Sequence, residues 1–252
     1  MVAWNYKELN SDVIFLLKFT KQNYIKDMMD EGRFRFSIPE IFQEGKGLRD
    51  GQKDVWDSYK SFQADRIYVA EVISDDAFGI KHGEPMLVSN HPTRMREISY
   101  ISKSTPMSCF RVVDKEDIEE KNGAYHFKLE EKIVERIKQD FGYDAYVLIC
   151  YPEIFINRIQ AECTCFARRI HYGEIDKEYG DFLNRFENMS QAEMFQKSKE
   201  YQWQKEFRII IQPKYGGDGV YYTSLGSIKD IAIAGNIDQL KLGLICANKE
   251  EL

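Results

Sequence analysis

The sequence YQWQKEFRIII, from Tyr201 to Ile211, contains the pattern that says most about this fold. Alternate residues from Tyr201 onward are mostly apolar and the residues between them are mostly polar, which predicts a β-strand with one face in the core. The polar face carries Gln204, Glu206 and Arg208 in a row, with successive side chains about 7 Å apart. Because covering a polar row costs stability, the strand is a candidate for a functional site. A half-exposed sheet face with a Glu206–Arg208 ion pair is the alternative.

Length and composition predict a soluble globular protein that fits one large domain or two small ones. The chain has 252 residues, of which 43% are hydrophobic and 30% are charged, and it is long enough to bury a substantial core. The net charge of −6 argues against the broad basic surface that nonspecific duplex binding requires, although local clusters of arginine and lysine remain. No apolar run approaches the roughly 20 residues that a membrane helix needs. The first residues also lack the pattern of a signal peptide. We therefore expect a cytoplasmic protein that has no membrane partner.

The cysteines and histidines predict no metal site. The chain has five cysteines, of which Cys163 and Cys165 form a lone Cys-x-Cys without a second pair, whereas a zinc site needs four ligands at suitable spacing. The four histidines are scattered along the chain. We therefore expect buried, reduced cysteines.

Local patterns elsewhere predict a chain that alternates strands and helices, and hence an α+β fold. The opening predicts a strand over Val13–Thr20, a helix ended by Gly32, and a second strand over Arg33–Ser37. A turn-rich segment makes an insertion around residues 74–105 an option. A capping-box pattern predicts a helix over residues 190–198.

Short motifs follow one another along the chain in a definite order. They are Leu17-Lys18-Phe19-Thr20, Arg35-Phe36-Ser37, Arg49-Asp50, Ser108-Cys109-Phe110, Gln204-Lys205-Glu206-Phe207-Arg208 and the late segment Ile228 to Gly235. This order resembles ADP-ribosyltransferase folds, which carry an Arg or His on the first strand, a Ser or Tyr on the next motif and a Glu on a later strand. It more closely resembles a bacterial family of uncharacterised domains, the DUF2971 type, and the resemblance covers most of the chain.

The resemblance implies a single ADP-ribosyltransferase-like domain over residues 1–252, with split antiparallel sheets flanked by helices. It implies an NAD-dependent ADP-ribosyltransferase that serves as an intracellular bacterial toxin in a toxin–antitoxin or phage-defence system. The acceptor would be a macromolecule, either RNA, DNA or protein, and an antitoxin or inhibitor protein would be a second partner.

The resemblance also implies a role for individual residues. Glu206 would be the catalytic carboxylate beneath the nicotinamide ribose, where it stabilises the positive charge of an oxocarbenium-like transition state. Gln204 would contact the acceptor or a ribose hydroxyl. The residues that would bind NAD are Lys18, Phe19, Thr20, Arg35, Ser37, Arg49 and Asp50.

Two positions differ from the transferase pattern and leave other functions open. Lys18 stands where Arg or His is usual, and Gln204 stands where the first Glu of the E-x-E motif is usual. These differences favour a rival hypothesis, a non-catalytic binding module that keeps the fold. A metal-dependent nuclease that uses Asp50, Asp54 and Glu206 is a third hypothesis, although no lysine lies two positions after the glutamate.

Overall fold

The computed structural model describes residues 12–39, 41, 60–64, 67–69, 72–76, 79–82, 86–89, 93–97, 104–121, 124–173, 192–212 and 219–247. Arg49, Asp50 and Asp54, which were candidates for binding NAD or a metal, lie outside these residues. No helix within the described ranges is both long enough and apolar enough to cross a membrane.

Strands dominate the described part of the chain. In chain order they are β1 (Val13–Thr20), β2 (Arg35–Ser37), β3 (Lys60–Ala64), β4 (Ile67–Val69), β5 (Val72–Asp76), β6 (Gly79–His82), β7 (Met86–Ser89), β8 (Thr93–Glu97), β9 (Met107–Asp114), β10 (Ile118–Lys121), β11 (Ala124–Phe127), β12 (Ala145–Ile149), β13 (Thr164–Arg169), β14 (His171–Gly173), β15 (Gln196–Ser198), β16 (Glu206–Gln212), β17 (Val220–Tyr222), β18 (Ala232–Asn236) and β19 (Leu244–Ala247).

The helices that the structure describes are fewer and short. They are α1 (Ile25–Glu31), α2 (Glu131–Arg136), α3 (Pro152–Glu162) and α4 (Gln239–Leu242), with a π-helical turn over Ile137–Phe141 and 3₁₀ turns over Gln22–Tyr24, Lys115–Asp117, Ala192–Phe195 and Lys199–Gln204. The predicted helix end at Gly32 is confirmed, because Gly32 caps α1 with φ of +61° and glycine adopts that conformation at little cost.

One antiparallel sheet of eight strands organises the fold. Six of its strands follow the order β13, β16, β9, β1, β12 and β18, and β2 joins them by pairing with both β9 and β17. This mixed architecture confirms the predicted α+β class with a large antiparallel sheet.

Helices cover both faces of this sheet because both faces bury apolar side chains. On one face, which we call the α3 face, Met28 of α1 and Phe155 of α3 join the buried core. On the other, which we call the α2 face, Val134 of α2 and Leu240 of α4 pack with Leu17 of β1. A central strand such as β12 is therefore buried along its whole length.

The sheet splits where β1 and β2 lie end to end along the same side of β9. Leu17 is the last residue of β1 that pairs with β9, opposite Arg111, and Ser37 of β2 pairs with β9 at Met107. Beyond Leu17, β1 stays paired with β12 and leaves β9. The split therefore opens beside residues 108–110 of β9.

The six strands from β3 to β8 form three antiparallel pairs that are nested in the sequence. β3 pairs with β8, β4 with β7, and β5 with β6. None of the six strands β3 to β8 forms a described pairing with a strand of the large sheet. The first of these strands begins at Lys60, ahead of the segment 74–105 that the sequence suggested as an insertion.

The prediction of one strand over Tyr201–Ile211 is wrong in its first half. Lys199–Gln204 is a 3₁₀ turn, and Lys205 adopts a left-handed conformation with φ of +44° before β16 begins. The Lys205 ammonium holds this turn by contacting carboxylate oxygens of Asp114 at 3.3 Å and of Asp117 at 2.9 Å. A spacing of two between Tyr201 and Trp203 is therefore not strand alternation.

The second half of that prediction is confirmed. Phe207, Ile209 and Ile211 all belong to the core of the α3 face, so Glu206 and Arg208 project to the opposite, α2 face. The polar row exists, but Gln204 is not part of the strand.

The predicted helix over residues 190–198 is also wrong. A 3₁₀ turn covers Ala192–Phe195, and Gln196–Ser198 forms β15, which pairs in parallel with β14. The consecutive residues 194–197 are all buried, and a helix that exposed one face to solvent would not bury them all.

Candidate active site

Glu206 lies at the first position of β16, where its side chain is buried. It pairs across the sheet with Arg111 of β9 and is only 6% exposed. A buried carboxylate is costly unless it is ionically paired and hydrogen-bonded. Its surroundings provide such partners.

Two cations and a phenol hold Glu206. Arg208 donates its Nε–H to Oε1 at 2.5 Å, and the Lys197 ammonium donates to Oε2 at 3.1 Å. The Tyr172 hydroxyl accepts the backbone N–H of Glu206 at 2.7 Å. Burial by itself raises the pKa of Glu206, but the charges of Arg208 and Lys197 outweigh it and hold the pKa well below its ordinary value. Glu206 is therefore ionised throughout the physiological pH range.

Arg208 is the permanent counter-ion in this group. Its side chain is completely buried, and its Nη1 donates to the carbonyl of Met194 at 2.7 Å. Because arginine stays protonated at any physiological pH, the Glu206–Arg208 pair persists as an ion pair.

Lys197 connects Gln204 to Glu206. Its Nζ donates to Oε1 of Gln204 at 3.0 Å and lies 4.8 Å from the centre of the Tyr201 ring. The two residues of the Gln-x-Glu motif thus meet through a shared ammonium group, although they belong to different elements.

Lys18 reaches the split in the sheet from the other face. Leu17, Arg111 and Glu206 form one cross-strand row and share a face, so Lys18 projects to the α3 face. Its ammonium donates to Ser108 Oγ at 2.9 Å and to the Cys109 carbonyl at 2.7 Å. The Lys18 ammonium therefore donates to a backbone carbonyl of β9 at the split, where β1 no longer pairs with β9.

Charges near the split influence one another through the sheet. Burial lowers the pKa of Lys18, with Cys109 and Glu206 opposing that effect and Arg35 adding to it. Burial also raises the pKa of the Cys109 thiol to about 12, and the negative charge of Glu206 contributes. Cys109 is therefore a neutral thiol beside the carboxylate.

The other residues assigned to NAD binding have diverse environments. Phe19 packs against the core of the α2 face. Thr20 is buried, and its carbonyl accepts the N–H of Asp144 at 3.2 Å. Ser37 is buried at the junction of β2 with β9, and Arg35 is exposed at the start of β2. The structure brings Gln204 and Glu206 together, and it places Lys18 and Thr20 on the face of the sheet opposite Glu206.

Lys197 and Tyr172 are the site residues that the sequence did not indicate. They pair with each other across β14 and β15, so both project toward Glu206. The sequence carried no signal for Lys197, because its segment had the pattern of a helix. A search of the described residues finds no group of three or more His, Cys, Asp or Glu side chains that could hold a metal ion.

Comparison with protein-family models, with curated proteins and with solved structures finds no match for this chain. The geometry around Glu206 is therefore the basis for assigning a function.

Proposed function

We propose that this chain is an NAD-dependent ADP-ribosyltransferase with an ADP-ribosyltransferase-like split sheet. The observation that carries the proposal is Glu206, a buried carboxylate kept ionised at the start of β16, on the strand that pairs with β9 opposite the split between β1 and β2. Transfer of ADP-ribose needs such a group, because positive charge develops on the ribose ring in the transition state.

The reaction breaks one bond and forms another at C1′ of the ribose. The bond between C1′ and the nicotinamide nitrogen breaks, and its electron pair leaves with neutral nicotinamide. An acceptor nucleophile then bonds to C1′ and releases a proton. A fixed carboxylate in a water-poor site stabilises the developing charge more strongly than water does.

The residues near the split are compatible with a dinucleotide. NAD carries a pyrophosphate with two negative charges. Lys18 lies on the face opposite Glu206 and already bonds Ser108 and the Cys109 carbonyl, whereas Arg35 is exposed at the start of β2. A guanidinium matches phosphate oxygens in geometry and charge, so the exposed Arg35 is the better candidate for direct contact.

The chemistry of Gln204 constrains the acceptor. An amide does not act as a general base at neutral pH, so the acceptor must already be nucleophilic or lose its proton to another group. We propose a macromolecular acceptor, RNA, DNA or protein, and a role as an intracellular toxin controlled by an antitoxin or inhibitor protein.

A second candidate function is a non-catalytic binding module. It is favoured by a specific observation, since both carboxylate oxygens of Glu206 already accept bonds from cations, Arg208 and Lys197. A carboxylate that two cations neutralise has less charge to offer a developing oxocarbenium ion.

Incubation with NAD labelled in the adenylate moiety separates the two candidates. Wild-type protein should release nicotinamide and transfer label to a component of a cell extract, and Glu206→Gln should do neither. Glu135→Gln is a matched control, because Glu135 pairs with Lys241 at the surface of α2, and it should behave as wild type. Calorimetric binding of NAD without any nicotinamide release by the wild type would favour the binding module, and the absence of both binding and release would reject both candidates.

A further inference from the structure

We infer that Lys197 is the positioning residue of the proposed active site, and that it sets the relative placement of Gln204 and Glu206. This inference rests on the proposed function. A Gln-x-Glu motif on one strand needs no such residue, because alternation places both side chains on one face. Here Gln204 ends a 3₁₀ turn and Glu206 begins β16, so backbone geometry alone does not align them.

The ammonium of Lys197 supplies the missing alignment. It lies 3.0 Å from Oε1 of Gln204 and 3.1 Å from Oε2 of Glu206, and its side chain is only 10% exposed. Three donors on one nitrogen allow it to hold both oxygens at once.

This contact also decides which end of Gln204 faces a ligand. Because Oε1 accepts from Lys197, the amide NH₂ group is directed away from the ammonium. Gln204 therefore presents a hydrogen-bond donor, which suits a hydroxyl or phosphate oxygen and does not suit a cationic acceptor group.

Lys197 is itself held in place by strand pairing. β15 pairs with β14 so that Lys197 lies beside Tyr172, and the Tyr172 hydroxyl accepts the N–H of Glu206 at 2.7 Å. The short β14–β15 ladder thus fixes the backbone of Glu206 with one strand and its carboxylate with the other.

The variants Lys197→Met and Lys197→Arg test this role. Methionine keeps the length of the side chain and removes the charge, whereas arginine keeps the charge and the donors. We expect Lys197→Met to lower kcat at least about tenfold with KM for NAD changed less than about threefold, and Lys197→Arg to recover most of kcat. Lys241→Met removes an ammonium that pairs with Glu135 and Asp238 at the surface, and should leave both constants unchanged.

A measurement that does not depend on turnover keeps this inference separate from the proposed function. In protein labelled at glutamate and glutamine side chains, Lys197→Met should shift the carboxyl resonance of Glu206, raise its pKa toward the ordinary value, and shift the Gln204 amide signals. Lys197→Arg and Lys241→Met should leave these signals close to wild type. If the wild type turns over no NAD while these shifts occur, the proposed function fails and the positioning of the pair stands. Unchanged Glu206 and Gln204 signals in Lys197→Met, or an unchanged or higher kcat, would overturn the inference.

Discussion

Glu206→Gln should destabilise the protein strongly, because it removes a negative charge that contacts two buried cations. Arg208 is completely buried and Lys197 is only 10% exposed, so neither cation gains access to water in the variant. Breaking a buried pair by removing one partner costs about 3–5 kcal/mol, compared with about 0–1 kcal/mol for a surface pair. For a chain of this size, that loss corresponds to roughly a 6–20 °C fall in Tm.

A double-mutant cycle separates this effect from side-chain packing. In the Glu206→Gln background, Arg208→Met removes a charge that no longer contacts the Glu206 carboxylate, so it should cost less stability than it does in the wild type. Urea unfolding of the four proteins at pH 7 gives the coupling free energy, which we expect to exceed about 1.5 kcal/mol. Additive losses, or a loss below about 1 kcal/mol for Glu206→Gln, would refute the conclusion that these charges stabilise one another in a buried site.

The pH dependence of the same variant provides an independent measurement. The pKa of Glu206 is lowered in the folded protein, so the unfolded chain binds more protons as the pH falls below the ordinary glutamate value of about 4.3. The stabilisation by Glu206 is therefore present above that pH and is lost progressively as the pH falls toward the lowered value. Urea unfolding between pH 3 and 7 should show a smaller loss of stability with falling pH for Glu206→Gln than for wild type, and equal slopes would contradict the lowered pKa.

Three further predictions follow from the backbone and from Cys109. Gly32→Ala should cost at least about 2 kcal/mol in urea unfolding, because its φ is +61° and a Cβ would lie 2.6 Å from the carbonyl oxygen of Gly226. The control Gly226→Ala should cost only about 1 kcal/mol, because its φ is +72° but nothing lies within 4 Å of the added Cβ. Equal losses would contradict the packing around Gly32. Lys205→Gly should be more stable than Lys205→Ala by about 1 kcal/mol, because glycine adopts the φ of +44° without strain, and the opposite order would argue against the left-handed turn. The pKa of the Cys109 thiol is raised to about 12, so the thiol should resist iodoacetamide at pH 8 in the folded protein and react after unfolding. Peptide mass spectrometry measures this labelling. Rapid labelling of the folded protein would show instead that the thiol is accessible and ionised.

The sequence predicted those features that depend on neighbouring residues. Gly32 ends a helix because glycine tolerates positive φ, and a short window of sequence shows this. The alternation from Glu206 to Ile211 places the carboxylate opposite the apolar core, again through the local geometry of a strand. The same local rule failed from Tyr201 to Gln204, where a 3₁₀ turn happens to repeat its ring side chains at a spacing of two.

The partners of Glu206 were beyond a local pattern. Lys197 reaches the carboxylate because β15 pairs with β14, and parallel pairing between short strands has no sequence signature of its own. Lys18 and Glu206 were expected to contact the same NAD molecule, but the register of β9 with β1 and β16 sets them on opposite faces of the sheet. A shift of one residue exchanges the faces of a strand.

The sequence by itself determined the α+β class, the end of α1 at Gly32 and the face of β16 that carries Glu206, because each depends on propensities and periodicities within a few residues. Only the tertiary structure decided that Glu206 is buried between Arg208 and Lys197, that Gln204 meets it through a shared ammonium group, and that β1 leaves β9 after Leu17. Those features depend on strand register and on contacts between distant segments, and the free energy of a buried charge depends on the whole surroundings that the fold provides.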